Sequence, residues 1–505
     1  MSLLALLCIP IALFLLCFYF WHVNRGITKV PSSALAFSPL RFTVAGIEEA
    51  AGRLASKPFD AVPHLPPATG RRYVVIGGSG FLGGWIVLHL LMRGEDPRNI
   101  RIIDIRRPIR KDMLSGKAAQ VPFVAADVRD ADSLRAAFAV DWPSNSERSD
   151  KGITVFHTAA SIRFYERHES LVPRSFAVNV DGTRNSLTVS REYGVDLFVF
   201  TSSASIPVRR TRHWIWPWQR HAETLVQIVN DTISNVPRKH NDFFSNYAYT
   251  KSLAEELVRG SDSPGEGFRT GCLRPGNAIF GPGGDLVAGP YLARGTNPSW
   301  TAPIIQSFTY VENASYAHLL YEQRLLESRT RADSLYPDIG GQAFCITDQG
   351  NAISYGDLYL TLSTLTKGKT RFPLLPPAPF LLLARILELY YIAQTRLPRV
   401  LPPLTGDILE LQPSVFNLAT IHMKVDDSRA RLPPQEGGLG YNPPWTTLEG
   451  LCQVVNDYLK DAKELQEHQS PANGQSVESL SAEDNKPSDI VHLSPPQAFS
   501  GLKHR

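Results

Sequence analysis

Tyr247, Lys251 and Ser203 are the residues of this chain whose types and spacing could move a proton and a hydride. In Tyr247-Ala248-Tyr249-Thr250-Lys251 the phenol and the ammonium lie four residues apart, so on a helix both project from one face. A phenol with a pKa near about 10 is a poor acid or base at neutral pH, and an adjacent ammonium favours its ionised form. Upstream, Val199-Phe200 runs into Thr201-Ser202-Ser203, a hydrophobic strand ending in hydroxyls. A hydroxyl from Ser203 can hold a substrate oxygen while the phenol exchanges its proton. Hydride then passes between a carbinol carbon and a nicotinamide. A bare Tyr-x-x-x-Lys is common on helices, so its meaning depends on the elements around it.

Those elements begin at Arg72. Tyr73-Val74-Val75-Ile76 has the β-branched content of a buried parallel strand and runs into Gly77-Gly78-Ser79-Gly80-Phe81-Leu82-Gly83-Gly84, then a helical pattern to Met92. Gly77, Gly80 and Gly83 allow a tight turn, close approach to a pyrophosphate and close helix–sheet packing. Phe81 and Leu82 open the helix whose N–H groups face the phosphates. A second strand ends at Asp104, placed to accept hydrogen bonds from a ribose 2′-OH. Asp104 would repel a 2′-phosphate and so favours NAD. Arg106 and Arg107 follow it and could pair with that phosphate, which keeps NADP open. Phe123 to Val128 reads as a third strand, ending at Asp127-Val128 beside the adenine. Thr154 to Ala160 reads as a fourth, emerging into small residues at Ala159 where a dinucleotide can lie close.

Composition narrows the setting. The 505 residues carry 52 basic and 48 acidic side chains, a net charge of +4, with 43% apolar content. That balance argues against a dedicated nucleic-acid binder, and the apolar content against a disordered chain. From Leu3 to Trp21 no side chain is charged, about enough helix to cross a bilayer. Tyr19 and Trp21 stand at its end and Arg25 and Lys29 follow. No basic stretch precedes the run and no A-x-A-like site follows it, so it reads as an anchor rather than a cleaved signal. The positive flank places the body in the cytosol. Cys272, Cys345 and Cys452 are scattered, with neither a disulfide framework nor metal-ligand spacing, as in a reducing compartment.

GxxGxxG at 77–83, HTAA at 157–160, NVDGTRN at 179–185, TSS at 201–203 and YAYTK at 247–251 resemble the extended short-chain dehydrogenase/reductases. Within them the chain is most similar to the 3β-hydroxysteroid dehydrogenases, including the decarboxylating sterol-4α-carboxylate 3-dehydrogenases. LRPGNAIFGPGGDL at 273–286, YVENASYAHLL at 310–320, GQAFCITDQGNAISYGDL at 341–358 and LGYNPPWTTLEGL at 439–451 carry that narrower likeness. The resemblance spans roughly 72–460. It implies a catalytic set of Asn179, Ser203, Tyr247 and Lys251, with Ser202 a nearby alternative. It also implies cofactor contacts from Tyr247, Lys251 and Pro275.

The expected architecture is an α/β, Rossmann-like doubly wound parallel sheet. The expected order is an anchor at 1–30, a linker at 31–71, a dinucleotide-binding domain at 72–272, a substrate-binding part at 273–460 and a polar disordered tail at 461–505. The insert between Ser203 and Tyr247 interleaves Arg209, Arg210 and Arg212 with Trp214, Trp216 and Trp218. It suits a membrane interface or a solvent-covered loop. Phe380 to Ile392 is too short to cross and reads either as a buried helix or as one lying in the membrane plane. The implied activity is NAD(P)-dependent oxidation of a sterol or steroid 3β-hydroxyl at the endoplasmic reticulum membrane, single-pass. The partners are the lipophilic substrate and membrane lipid, with a homodimer or association with other membrane sterol enzymes open. The rival readings are a reductase of another hydrophobic ketone, a nucleotide-sugar epimerase, and a membrane-tethered scaffold without catalysis.

Overall fold

The computed structural model describes residues 3–143, 151–219, 223–330 and 336–469. Seven strands form its central sheet: β1 Arg72–Ile76, β2 Ile100–Asp104, β3 Phe123–Ala125, β4 Ile153–His157, β5 Leu197–Thr201, β6 Arg269–Pro275 and β7 Gln342–Ile346. Every pairing is parallel and the order is 3-2-1-4-5-6-7. Tyr73 and Val75 enter a core with Ile86 and Leu90 of helix Phe81–Met92 and Ala314 and Ala317 of helix Val311–Thr330. Val74 and Ile76 point the other way, against Leu134, Leu187, Ala254 and Val258. Two buried faces explain why these strands are continuously apolar rather than alternating. The doubly wound fold is therefore as expected. Its order reverses between β1 and β4, where a crevice opens at the carboxyl ends.

The peripheral parts are more intertwined than the sequence suggested. Val226–Val229 of the insert pairs in parallel with His422–Val425, which adjoins Ile305–Gln306 and through it Ile353–Ser354. Strand β6 crosses position 272/273 and β7 returns from beyond it, so that boundary falls inside the main sheet. Arg274-Pro275 marks a strand end, not a domain end.

The stretch 31–71 is folded onto the body instead of spanning a gap. Helix Val44–Ser56 is capped by Thr43 Oγ1, which accepts the Gly46 N–H at 3.2 Å, and it buries Ile47 and Ala50. It packs on Tyr355–Leu365 and Thr447–Gln469. A stripe of two small apolar residues was too faint to read as a helix face. Helix Thr447–Gln469 also runs past 460, and the rest of the expected tail, 470–505, lies outside the described residues.

Helix Leu3–Thr28 is about 39 Å long, and among the described residues one helix, near the N-terminus, is long and apolar enough to cross a membrane. Ile9, Ile11, Leu13, Phe14, Leu16 and Trp21 are exposed, whereas Val23 and Ile27 are buried against Ala378. Asn24 Oδ1 accepts the Ala378 N–H at 2.7 Å. The stretch expected at 380–392 is a longer helix, Pro377–Arg396. Glu388 and Tyr391 are buried beside Ala378, Leu381 and Ala384, and Glu388 takes the Arg167 guanidinium. Leu382, Leu383, Ile386 and Leu389 face outward with Arg385. A row of exposed apolar side chains of that length marks a surface that meets more than water.

Candidate active site

The carboxyl ends of β1, β2 and β4 build the first half of the site. Gly77 has φ 83°, and a Cβ there would come within 2.6 Å of the Ala159 amide nitrogen across the sheet reversal. A Cβ on Gly83 would come within 2.2 Å of the Gly77 carbonyl, so only glycine lets the helix meet the turn so closely. Gly80 sits at the N-cap without a capping side chain, leaving the first-turn N–H groups of Phe81–Met92 available to an anion. Buried Ser79 Oγ has no hydrogen-bond partner among the described residues. Such a bare turn, uncapped helix and orphaned hydroxyl fit a dinucleotide pyrophosphate.

Asp104 is half-buried at the end of β2, accepting the Ser79 and Arg106 N–H groups at 3.1 and 3.3 Å. Burial raises its pKa against those donors. Arg107 lies over the Phe123 ring, its guanidinium carbon 5.1 Å from the ring centroid. At the next strand end, Asp127 is clamped by Arg129 at 2.9–3.0 Å through Nε, which lowers its pKa. Buried Val128 gives its carbonyl to Asn185 Nδ2 at 2.9 Å. Pro275 ends β6, and its carbonyl accepts the Ala204 N–H at 3.0 Å. Gly77, Asp104, Asp127, Val128 and Pro275 thus stand at or just beyond the carboxyl ends of strands, with Phe81, Leu82 and Gly83 opening the first helix.

The second half comes from β5 and helix Asn246–Gly260. Ser245 Oγ caps that helix by accepting the Ala248 N–H at 3.2 Å. Tyr247 and Lys251 follow one turn apart on one face. Ser203 Oγ lies 2.8 Å from Ser205 Oγ, while the Ser202 hydroxyl is taken by Glu255. Burial pushes the Tyr247 phenol up to about 12, against a lowering influence of Ser203. Burial likewise pushes Lys251 down to about 7. Here the structure departs from the expected ammonium-assisted phenol. Lys251 Nζ donates to the Thr201 carbonyl and lies 4.1 Å from the Phe200 ring centroid, which holds it toward the end of β5.

Asn179 sits in a π-helical turn, Ala177–Asp181, a local widening often found at functional sites. Its Oδ1 accepts the Ser161 N–H at 2.8 Å, and its Nδ2 donates to the Ser161 carbonyl and to Thr250 Oγ1 at 3.1 and 3.0 Å. It thereby ties the loop after β4 to the turn between Tyr247 and Lys251. Two supports were missed in the sequence. Glu255, one turn beyond Lys251, accepts the Ser202 hydroxyl at 2.5 Å and both Nε and Nη2 of Arg274 at 2.8 and 2.6 Å. His318 Nε2 lies 2.7 Å from Thr201 Oγ1, its pKa pushed down to about 4 by burial. The signal for the first was Arg274 in the Leu273-Arg274-Pro275 strand end, since a buried guanidinium requires a carboxylate.

Residues 74–371, more than half the chain, match the 3-beta hydroxysteroid dehydrogenase/isomerase family. An Arabidopsis thaliana protein, "3beta-hydroxysteroid-dehydrogenase/decarboxylase isoform 2", is 28% identical over 406 residues, covering 77% of this chain and 62% of that protein. The human "Sterol-4-alpha-carboxylate 3-dehydrogenase, decarboxylating" is 29% identical over 286 residues, 55% of this chain and 62% of that one. The chain thus spans less than two thirds of the length of each of these two relatives. Among solved structures, a UDP-glucose 4-epimerase from Thermotoga maritima superposes with TM-score 0.51 at 18% identity. It covers 77% of this chain and 99% of its own, a likeness of fold alone. The glycine turn, the Tyr-Lys helix and the family match over one continuous stretch agree, and the chain belongs to the 3-beta hydroxysteroid dehydrogenase/isomerase family.

Proposed function

We propose that the chain is a membrane-anchored, NAD-dependent oxidoreductase that oxidises the 3β-hydroxyl of a sterol or steroid to the ketone. The observation that carries this reading is the glycine cradle of Gly77 and Gly83 at the sheet reversal, together with Tyr247 and Lys251 on one face of a helix whose Lys251 Nζ reaches the Thr201 carbonyl at the end of β5. Gly77, Gly80, Phe81, Leu82 and Gly83 would hold the pyrophosphate and Asp104 the adenosine ribose. Asp127, Val128 and Ala159 would flank the adenine and the path between, with Pro275 on the nicotinamide side. When bound, NAD supplies the hydride acceptor and a positive charge. Ser203 holds the carbinol oxygen, and Tyr247 in its ionised form takes the hydroxyl proton as the C–H hydride leaves. With a phenol near 12, that form needs positive charge close to the oxygen, so Tyr247 becomes a competent base in the loaded site. Lys251, held on the Thr201 carbonyl, is positioned to restore the proton balance and to hold the cofactor. If the substrate carries a 4α-carboxylate, the β-keto acid formed loses carbon dioxide.

The outward leucines of Pro377–Arg396 and the exposed N-terminal helix support anchoring at the endoplasmic reticulum membrane with the body in the cytosol. They favour a lipid-dissolved substrate over a sugar nucleotide. The test is NADH formation by the full chain in detergent over a sterol panel with and without a 4α-carboxylate, beside carbonate extraction of cell membranes. No NADH with any 3β-hydroxysterol would refute the activity. Release by carbonate would refute the anchoring.

A further inference from the structure

Three features that looked unrelated in the sequence converge on one face. Trp214 of the insert stacks on Tyr19, ring centroids 6.1 Å apart, and meets Phe20 edge-on at 5.9 Å. Ala378 and Asn24 join the N-terminal helix to Pro377–Arg396. The N-terminal helix is exposed and apolar up to Trp21 and packs against the body from Val23 onward. That change marks the level at which the chain leaves the hydrocarbon. Trp214, touching residues 19 and 20, therefore lies at headgroup depth.

Beside Trp214 is a cavity of about 220 Å³. Arg167, Arg210, Arg212 and Arg385 line it, together with Leu381. Glu388 is the carboxylate bound to this group, paired with Arg167 and, at 3.3 Å, with Arg385. Arg210 gives its Nε to the Phe243 carbonyl at 2.6 Å. The exposed Arg212 guanidinium has no partner among the described residues. Burial and the facing Arg167 both lower the pKa of Arg210, and Glu388 and Asp242 offset this only in part. His213, on the same wall, is neutral: burial pushes it down to about 4 and its Nε2 lies 2.7 Å from Thr420 Oγ1.

We propose that this cavity binds the phosphate of an anionic phospholipid headgroup, the acyl chains lying along the outward leucines of Pro377–Arg396. Guanidinium forks match phosphate oxygens two at a time, and a choline headgroup would add a cation to an already cationic site. The depth of Trp214 selects a lipid over a free anion. This site rests on the membrane reading above, but its test does not require an inserted anchor. The full chain in maltoside micelles is titrated by calorimetry with dihexanoylphosphatidic acid, dihexanoylphosphatidylcholine and inorganic phosphate. Saturable binding of the phosphatidic acid is expected, about tenfold or more tighter than either control. Arg212→Gln/Arg385→Gln, at two exposed positions, should weaken it by about tenfold or more with the unfolding midpoint unchanged. Arg212→Lys/Arg385→Lys should recover part of the affinity. Equal binding of phosphatidylcholine or inorganic phosphate, indifference to the Gln pair, or one-for-one displacement by a carboxylated sterol would overturn the proposal.

Discussion

Replacing Glu255 by Gln removes, from the helix that carries Lys251, a carboxylate shared by Ser202 just beyond β5 and Arg274 of β6. Its oxygens take the Ser202 hydroxyl at 2.5 Å and Arg274 at 2.6 and 2.8 Å, and the Arg274 and Glu255 side chains are 1% and 5% exposed. Water cannot replace the lost partner at that depth. Neutralising one member of such a pair costs about 3–5 kcal/mol because the other charge is stranded. The Asn230 carbonyl, 3.1 Å from Arg274 Nη1, is a partial substitute, so the lower end of about 3 kcal/mol is expected for Glu255→Gln. Arg274→Met should cost a similar amount, since Arg259, 3.7 Å away, is the next cation. The double variant buries no charge and should lose clearly less than the sum of the singles. Unfolding midpoints of the four proteins in one detergent measure this, and NADH formation on the same samples should fall about tenfold in Glu255→Gln as the Ser202–Ser203 turn loses its support. Additive losses, or a Glu255→Gln protein as stable as wild type, would refute the reasoning.

Gly83→Ala should reduce dinucleotide binding by about tenfold or more, because its Cβ would press on the Gly77 carbonyl and force helix from turn. Quenching of intrinsic fluorescence by NADH measures it, and unchanged affinity would argue against the cradle. Lys251 has a pKa of about 7 when folded against an ordinary 10.5. The unfolded chain therefore binds the extra proton between those values, and this group's contribution to stability rises with pH across that window. Lys251→Met should be stabilised relative to wild type most at pH 6 and least at pH 10. Thermal unfolding across that range checks the sign.

The central fold was legible because both faces of β1 to β6 are covered, so their apolar runs stand out and the glycine turn punctuates them. Ser203, Tyr247 and Lys251 were legible because strand end and helix face follow from short-range spacing. The direction of the phenol's pKa was not, because it depends on where Lys251 Nζ points, toward the Thr201 carbonyl, and on burial by distant segments. Nor was the helix Val44–Ser56 legible, since Ile47 and Ala50 become a packing face only against residues some 300 positions away. The inward Glu388 of Pro377–Arg396 is a similar case: its partner Arg167 lies on the loop after β4.

The central claim is that the Tyr247 hydroxyl moves the proton while hydride leaves for NAD. Tyr247→Phe deletes that one oxygen and leaves the half-buried ring. NADH formation from a 3β-hydroxysterol should fall by about 10²–10⁴-fold with NADH affinity retained. Turnover within about tenfold of wild type would contradict the account.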